Sequence, residues 1–315
     1  MAAYVMRRVA AFGVTLVLVT AVTFLVLQVI PGDPAQIVLG PDAEPAAVER
    51  LRAQLGLDRP AAVQYLAWLG SALRGDLGTS LHYGRPVAEL LAGHLPVTLA
   101  LTALAAALTV ALGLPLGLLA AACARRPADT GILAAAQLGL ALPSFWLGLL
   151  LILLFGLRLR WLPASGFPGW EAGAGAALGA LLLPAAALGL ARAAVVLRLT
   201  RSSLLEALAQ DYVRTARAKG LRESAVMFKH AARNALAPVV TALGLQIGLL
   251  LAGSIVVEKV FSLPGLGQLT LWAISYRDLP LVQGAVVFIA AAVMVVNLAV
   301  DLAYAGLDPR IRYGA

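Results

Sequence analysis

Asp211-Tyr-Val-Arg-Thr-Ala-Arg-Ala-Lys-Gly-Leu221 decides how this chain is read. It is a basic, helix-prone stretch closed by Gly220, with a long apolar segment on either side, Ala172–Ala191 before it and Asn234–Val257 after it. Leu204, Leu208, Tyr212 and Ala216 recur every fourth residue, which predicts an amphipathic helix leaving the first apolar segment. Gly220 then breaks that helix, because glycine reaches positive φ without steric cost. Arg222 to Asn234 is expected to resume as helix toward the second segment. The result is an elbow over 201–233, joining two membrane spans. A pore that only passes solute has little use for so ordered a hairpin, whereas one pushed by a soluble partner needs it.

The rest of the composition sets this elbow in a membrane protein. Hydrophobic residues make up 61% of the chain and charged ones only 13%, with mean hydropathy +0.89; a soluble domain carries about 25% charged residues. The charges are clumped and leave six uncharged stretches: Val9–Ile30, Leu95–Ala124, Thr130–Leu157, Ala172–Ala191, Asn234–Val257 and Leu279–Val300. Each reaches the roughly 20 residues that a spanning helix needs. Spans of a closed barrel would be about 10 residues of alternating polarity, which these are not. The expectation is an all-α polytopic membrane protein with six transmembrane helices. The first helix (1–30) follows Arg7 and Arg8 and has too long an apolar core for a signal peptide. No small-x-small cleavage site ends it, so it reads as uncleaved.

The net charge of +8 is topological rather than a sign of nucleic-acid binding. With the amino terminus inside, cytoplasmic segments hold 14 basic residues, including Arg125, Arg126, Arg310 and Arg312, against five acidic ones, Asp129, Glu206, Asp211, Glu223 and Asp308. The outer segments are balanced, so the positive-inside rule places both termini in the cytoplasm. The lone Cys123 permits no intramolecular disulfide or multi-cysteine metal site.

Four regions follow the first helix or lie within the core that succeeds it. An extracytoplasmic segment covers 31–94, a five-helix core with the elbow covers 95–305, and a cytoplasmic tail covers 306–315. In the outer segment, Pro-Gly-Asp-Pro (31–34) and Gly-Pro-Asp turns precede predicted helices over Pro45–Leu55 and Pro60–Leu73. The second helix places Val63, Leu66, Leu69 and Gly70 on one side, with Tyr65 and Trp68 also available. That face reads either as an interfacial belt on the bilayer or as a surface for a partner.

Catalytic motifs are absent. None of Lys219, Lys229 and Lys259 is followed by Ser or Thr, so there is no phosphate-binding P-loop. His82, His94 and His230 lie far apart and show no metal-ligand spacing. Neither soluble segment is long enough to house a nucleotide-hydrolysing domain. The six apolar cores contain no Asp, Glu, His or Lys, which disfavours both an intramembrane enzyme and a stand-alone ion-coupled carrier or channel. Arg192 and Asp301 sit near cytoplasmic span ends, where Arg192 either snorkels or lines an inner vestibule. Within the spans, Pro96, Pro115, Pro143, Pro184 and Pro238 offer bends. Gly113-x-x-x-Gly117 and Gly244-x-x-x-Gly248 offer close helix approach. Ser144, Thr241, Gly244, Gln246 and Gly248 are candidates for the pathway or for helix packing, Thr241, Gly244, Gly248 and Ala252 forming a small-residue stripe.

The stretch 211–221 matches in full the D-Y-V-R-T-A-R-A-K-G-L of permease subunits of the dipeptide/oligopeptide group of binding-protein-dependent ABC importers. Further resemblance runs through Leu55-Gly-Leu-Asp58, Gly75-Asp-Leu-Gly78, Pro143-Ser-Phe-Trp-Leu-Gly148, Leu162-Pro-Ala-Ser-Gly166, Phe261-Ser-Leu-Pro-Gly-Leu-Gly267, Arg277-Asp-Leu-Pro280 and Leu307-Asp-Pro-Arg310. The wider E-A-A-x3-G signature survives in part, with Arg214-Thr-Ala216 at E-A-A and Gly220 as its glycine. Ala232 departs from the leucine usual in the group's H-x-L-R-N, here His230–Asn234. The resemblance implies a type I importer permease fold in a prokaryotic inner membrane. It also implies pairing with a second permease, and an external solute-binding protein that delivers di- or oligopeptides, nickel chelates, glutathione or sugars. ATP and Mg would bind two cytoplasmic ATPase subunits, with no cofactor in this chain. Asp211, Tyr212, Arg214, Thr215, Ala216, Arg217, Ala218, Lys219 and Gly220 would couple it to them. In the outer segment, Trp68 and Asp76 are expected to contact the binding protein.

Overall fold

A computed structural model describes residues 2–29, 32–40 and 42–307. Pro31, the side chains of Arg7 and Asp301, and 308–315, which hold Asp308, Arg310 and Arg312 of the expected tail, lie outside the described residues. Thirteen helices follow in order among the described residues. They are α1 (Ala2–Val29), α2 (Pro34–Leu39), α3 (Pro45–Gln54), α4 (Ala61–Ala72), α5 (Val87–Ala122), α6 (Pro127–Ala141), α7 (Ser144–Leu151), α8 (Ala174–Leu208), α9 (Asp211–Ala218), α10 (Glu223–Ala225), α11 (Ala232–Val260), α12 (Leu266–Ser275) and α13 (Leu279–Leu307). One π-helical turn, Ile152–Arg158, extends α7, and another, Val226–Ala231, joins α10 to α11. The two helices expected in the outer segment form within a residue or two of their predicted ends.

Among the described residues, five helices are long and apolar enough to cross a membrane, and the total is six if α6 and α7 count as one span. That pair corresponds to the third uncharged stretch, and it bends by 104°. The break falls at Leu142–Pro143. Leu142 is extended (φ −91°, ψ 127°), as the residue before a proline prefers, and Pro143 is extended too (φ −59°, ψ 141°). The other intramembrane prolines do not interrupt their spans: Pro96, Pro115, Pro184 and Pro238 lie inside continuous helices. A proline preceded by helical backbone forfeits one hydrogen bond, which neighbouring groups in a membrane bundle can offset.

The chain forms two compact units, 1–97 with 264–294 and 98–263 with 295–315. In the first unit, Val87, Leu90 and Leu91 of α5 pack with Leu266 and Leu269 of α12 and Leu281 and Val282 of α13. This apolar cluster explains why α5 begins eight residues before its uncharged stretch. Asp278 is 1% exposed and caps α13: it accepts hydrogen bonds from Leu281 N (3.2 Å), His82 N (3.1 Å) and the Ser80 hydroxyl. The Tyr65 hydroxyl on α4 donates to Val17 O of α1 (3.0 Å) and lies 2.9 Å from Thr20 Oγ1, tying the outer helix to the first span.

In the second unit α8 is the hub, packed by α6, α7 and α11. Small residues let α5 approach it closely. A Cβ on Gly113 would lie 2.8 Å from Val196 Cβ, and one on Gly117 would lie 2.6 Å from Thr200 Cβ and 2.7 Å from Leu197 O. The Gly113-x-x-x-Gly117 pair is therefore a packing motif here. On α7, Gly148 admits the Phe261 ring, which would stand 2.9 Å from an added Cβ.

Candidate functional site

The elbow is built from the base of α8, then α9, the Gly220 turn, and α10 with the π turn. Ala209 (φ −84°, ψ −9°) and extended Gln210 (φ −75°, ψ 153°) separate α8 from α9, where one continuous helix was expected. The break resets the helical phase. Leu204 and Ala216 are buried as the four-residue recurrence requires, but Tyr212 is 39% exposed, and Val213 joins Ala216 on the inward face of α9 in its place. These two join Leu204, Ala207, Val226, Ala231, Ala232 and Ala235 in one apolar cluster with Ala121 of α5. Val213 was missed in the sequence, although its three-residue spacing from Ala216 is the signal of a helix face.

The end of α9 is a Schellman motif. Gly220 stands at φ +75°, its N–H donates to Arg217 O (2.9 Å), and Leu221 N–H donates to Ala216 O (3.4 Å). Past the turn, Glu223 reaches back. Arg217 Nη2 and Nε donate to its carboxylate at 2.6 and 3.1 Å, and that bond holds the Arg217 pKa above its ordinary value. Arg214 donates to Asp211 (3.2 Å) within the first turn of α9, and the Thr215 hydroxyl donates to Asp211 O (3.1 Å).

Of the nine residues expected to couple, Asp211, Tyr212, Arg214, Thr215, Arg217, Ala218, Lys219 and Gly220 are all exposed. Ala216 is not: its methyl faces the chain's own core, so it anchors α9, and Ala218 is the small residue left on the outer face. The arrangement is a short basic helix seated on an apolar bed, with its polar face free to meet another molecule.

The remaining candidates scatter. On α11, Gly244, Gln246 and Gly248 are buried, Thr241 is half-buried with its hydroxyl donating to Ala237 O (3.3 Å), and Ala252 is exposed, so the stripe is covered at its middle and open at its far end. Ser144 begins α7 and is half-buried. Arg192 extends toward Gln246, its Nη1 lying 3.5 Å from Oε1, which directs it into the helix bundle rather than out to the interface. In the first unit, Asp76 is exposed and accepts from Gly78 N (2.9 Å). Trp68 stacks on Tyr65 (6.3 Å between centroids) and lines a cavity of about 300 Å³ with Gln283, its Nε1 buried. Val63 and Leu66 are the exposed face of α4. The sequence also hid an exposed outer row of rings: Trp272 stacks on Tyr276 (5.2 Å, 8°), and Tyr276 stacks on His82 (4.4 Å, 18°).

Comparison with known proteins agrees with this architecture. Residues 113–313 match the family model described as binding-protein-dependent transport system inner membrane component, and residues 1–102 match the model of its N-terminal region. A putative peptide transport system permease protein of Brucella abortus (strain 2308) is 42% identical over 320 residues, covering 99% of this chain and 100% of that relative. The glutathione transport system permease protein GsiC of Escherichia coli (strain K12) is 42% identical over 310 residues, covering 98% and 99%. Among solved structures, an inward-facing MetNI methionine ABC transporter aligns with a TM-score of 0.58 at 20% identity, covering 70% of this chain and 96% of that one. An amino acid ABC transporter aligns at 0.51 and 21% identity, covering 71% and 95%. These two share the fold. With an all-helical bundle, a displayed basic elbow and family matches across both halves, the chain belongs to the binding-protein-dependent transport system inner membrane components.

Proposed function

We propose that this chain is one permease half of an ATP-driven importer of di- or oligopeptides and that α9 is the part pushed by its motor. The observation that carries the reading is the seating of α9: Val213 and Ala216 fasten it to the base of α8, while Tyr212, Arg214, Arg217 and Lys219 stay exposed. A helix fixed on one face and free on the other can pass a push inward. Two cytoplasmic ATPase subunits would bind ATP and Mg, a second related permease would complete the pathway, and an external binding protein would deliver solute. Peptide is favoured as cargo by the Brucella relative, and glutathione, itself a tripeptide, by the Escherichia relative. Nickel chelates and sugars remain the alternatives within this architecture.

On the outer side, Asp76 is the exposed position from which a crosslinker should reach the docked binding protein. Trp68, whose ring packs against Tyr65, is the second position from which a crosslinker should reach it. Crosslinks from Asp76 that reach only lipid or this chain would favour the membrane-belt reading.

Reconstitution tests the whole proposal. The chain alone in vesicles should neither hydrolyse ATP nor accumulate solute, and both activities should appear once both ATPases, the second permease and the binding protein are added. Accumulation by the chain alone under an ion gradient would instead support a secondary carrier. Mass spectrometry of ligands retained by the cognate binding protein identifies the cargo.

A further inference from the structure

The base of α8 carries a second connection besides the elbow. Arg201 Nε donates to Asp129 Oδ1 and Nη2 to Oδ2, both at 2.7 Å, and the Arg125 N–H donates to Oδ2 at 3.1 Å. Asp129 is 4% exposed and lies in the first turn of α6. A guanidinium paired with a carboxylate through two parallel hydrogen bonds fixes direction as well as distance. Arg125 holds a left-handed conformation (φ +67°) in the α5–α6 turn, so the carboxylate also clasps that turn.

The position of the pair gives it a mechanical meaning. Leu204, less than one helical turn beyond Arg201, is fully buried in the apolar bed of α9. In the other direction, Leu197 and Ala194 of α8 pack with Ala136 of α6. The pair thus stands where the elbow's core gives way to the α6–α8 seam. Following α6 from Asp129 leads to the 104° bend and then to α7, whose Gly148 meets Phe261 and Ala187.

We propose that the Asp129–Arg201 ion pair is a positioning device that makes the bent α6–α7 helix pair follow the elbow. It gives the motor a second output beside the direct one through the π turn into α11. This inference rests on the coupling reading of α9. Apolar contact between α6 and α8 resists separation but tolerates sliding. The bidentate bond resists sliding too, and it sits at the end of α6 that receives the push.

The test uses the assembled importer with both ATPases and the second permease, in a Cys123→Ser background. Spin-label pairs are placed at Phe145 and Leu245, reporting α7 against α11, and at Gln210 and Leu245, reporting the start of α9 against α11; these residues are exposed and none is among those expected to meet the ATPase. ATP with vanadate should shift both distances in the parent protein. Asp129→Asn and Arg201→Gln should abolish the Phe145–Leu245 shift and keep the Gln210–Leu245 shift. The exchanged pair Asp129→Arg with Arg201→Asp should restore the first shift, and Asp129→Glu should largely preserve it. An unchanged Phe145–Leu245 shift in the single variants would overturn the proposal. So would failure of the exchanged pair, or loss of the ATPase subunits from every variant including Asp129→Glu. Absence of the Gln210–Leu245 shift in the parent would overturn the coupling reading itself, whereas absence of the Phe145–Leu245 shift alone would overturn only this inference.

Discussion

Glu223 grips the guanidinium of Arg217 across the Gly220 turn, in two hydrogen bonds of 2.6 and 3.1 Å. Two devices therefore hold the same corner, a backbone cap and a side-chain clasp, and they are unequal. The clasp is exposed, at 42% for Arg217 and 65% for Glu223, which limits it to about 0–1 kcal/mol. The cap depends on a backbone conformation that a β-branched residue resists.

Gly220→Val should leave expression and membrane insertion intact while abolishing transport and the response of ATP hydrolysis to loaded binding protein. An added Cβ meets nothing within 4 Å, so the penalty comes from the positive φ alone, at roughly 1–2 kcal/mol. Gly220→Asn, which tolerates that conformation, should retain most activity. Equal loss in both variants, measured as stimulated hydrolysis in proteoliposomes, would show that backbone conformation is not the cause.

Arg217→Glu should weaken coupling less than Gly220→Val, because it removes an exposed clasp and sets two carboxylates near each other without altering the cap. Like-charge repulsion at such a site is screened by salt over about 8 Å at physiological ionic strength. Raising salt should therefore recover part of the lost stimulation of hydrolysis, and no recovery would argue for a direct contact with the ATPase.

Gly117→Val should lower the thermal midpoint of the purified protein in detergent. Its Cβ would stand 2.6 Å from Thr200 Cβ and 2.7 Å from a backbone oxygen, and overpacking of this kind costs about 1–3 kcal/mol or more. Gly131→Ala, where a Cβ meets nothing within 4 Å, is the control and should be neutral.

Asp278→Ala should destabilise the first unit, since it strips the acceptor from the buried Ser80 hydroxyl and from His82 N–H. For the buried Ser80 hydroxyl, loss of its acceptor costs about 1–3 kcal/mol. Faster proteolysis of the 76–86 loop in the intact protein would register the change, and unchanged cleavage would show that the loop is held by its apolar contacts instead.

The all-helical spans and the helix–turn–helix elbow were legible in the sequence because each rests on short-range physics. Roughly 20 apolar residues must shield their own backbone in lipid, and a glycine ends a short helix. Family motifs such as 211–221 carried the resemblance from which partners are proposed, which no periodicity could supply. What tertiary structure decided was which face of each helix is turned inward. The break at Ala209–Gln210 rotated α9 so that Val213 replaced Tyr212 on the buried side, a change of phase that a recurrence counted through the break cannot register. Pro143 bent its span by 104° while Pro184 and Pro238 did not, because the difference lies in the conformation of the preceding backbone and the packing around it. The bond between Asp129 and Arg201 joins residues 72 apart in the chain, and only the packing of α6 against α8 brings that carboxylate and guanidinium together.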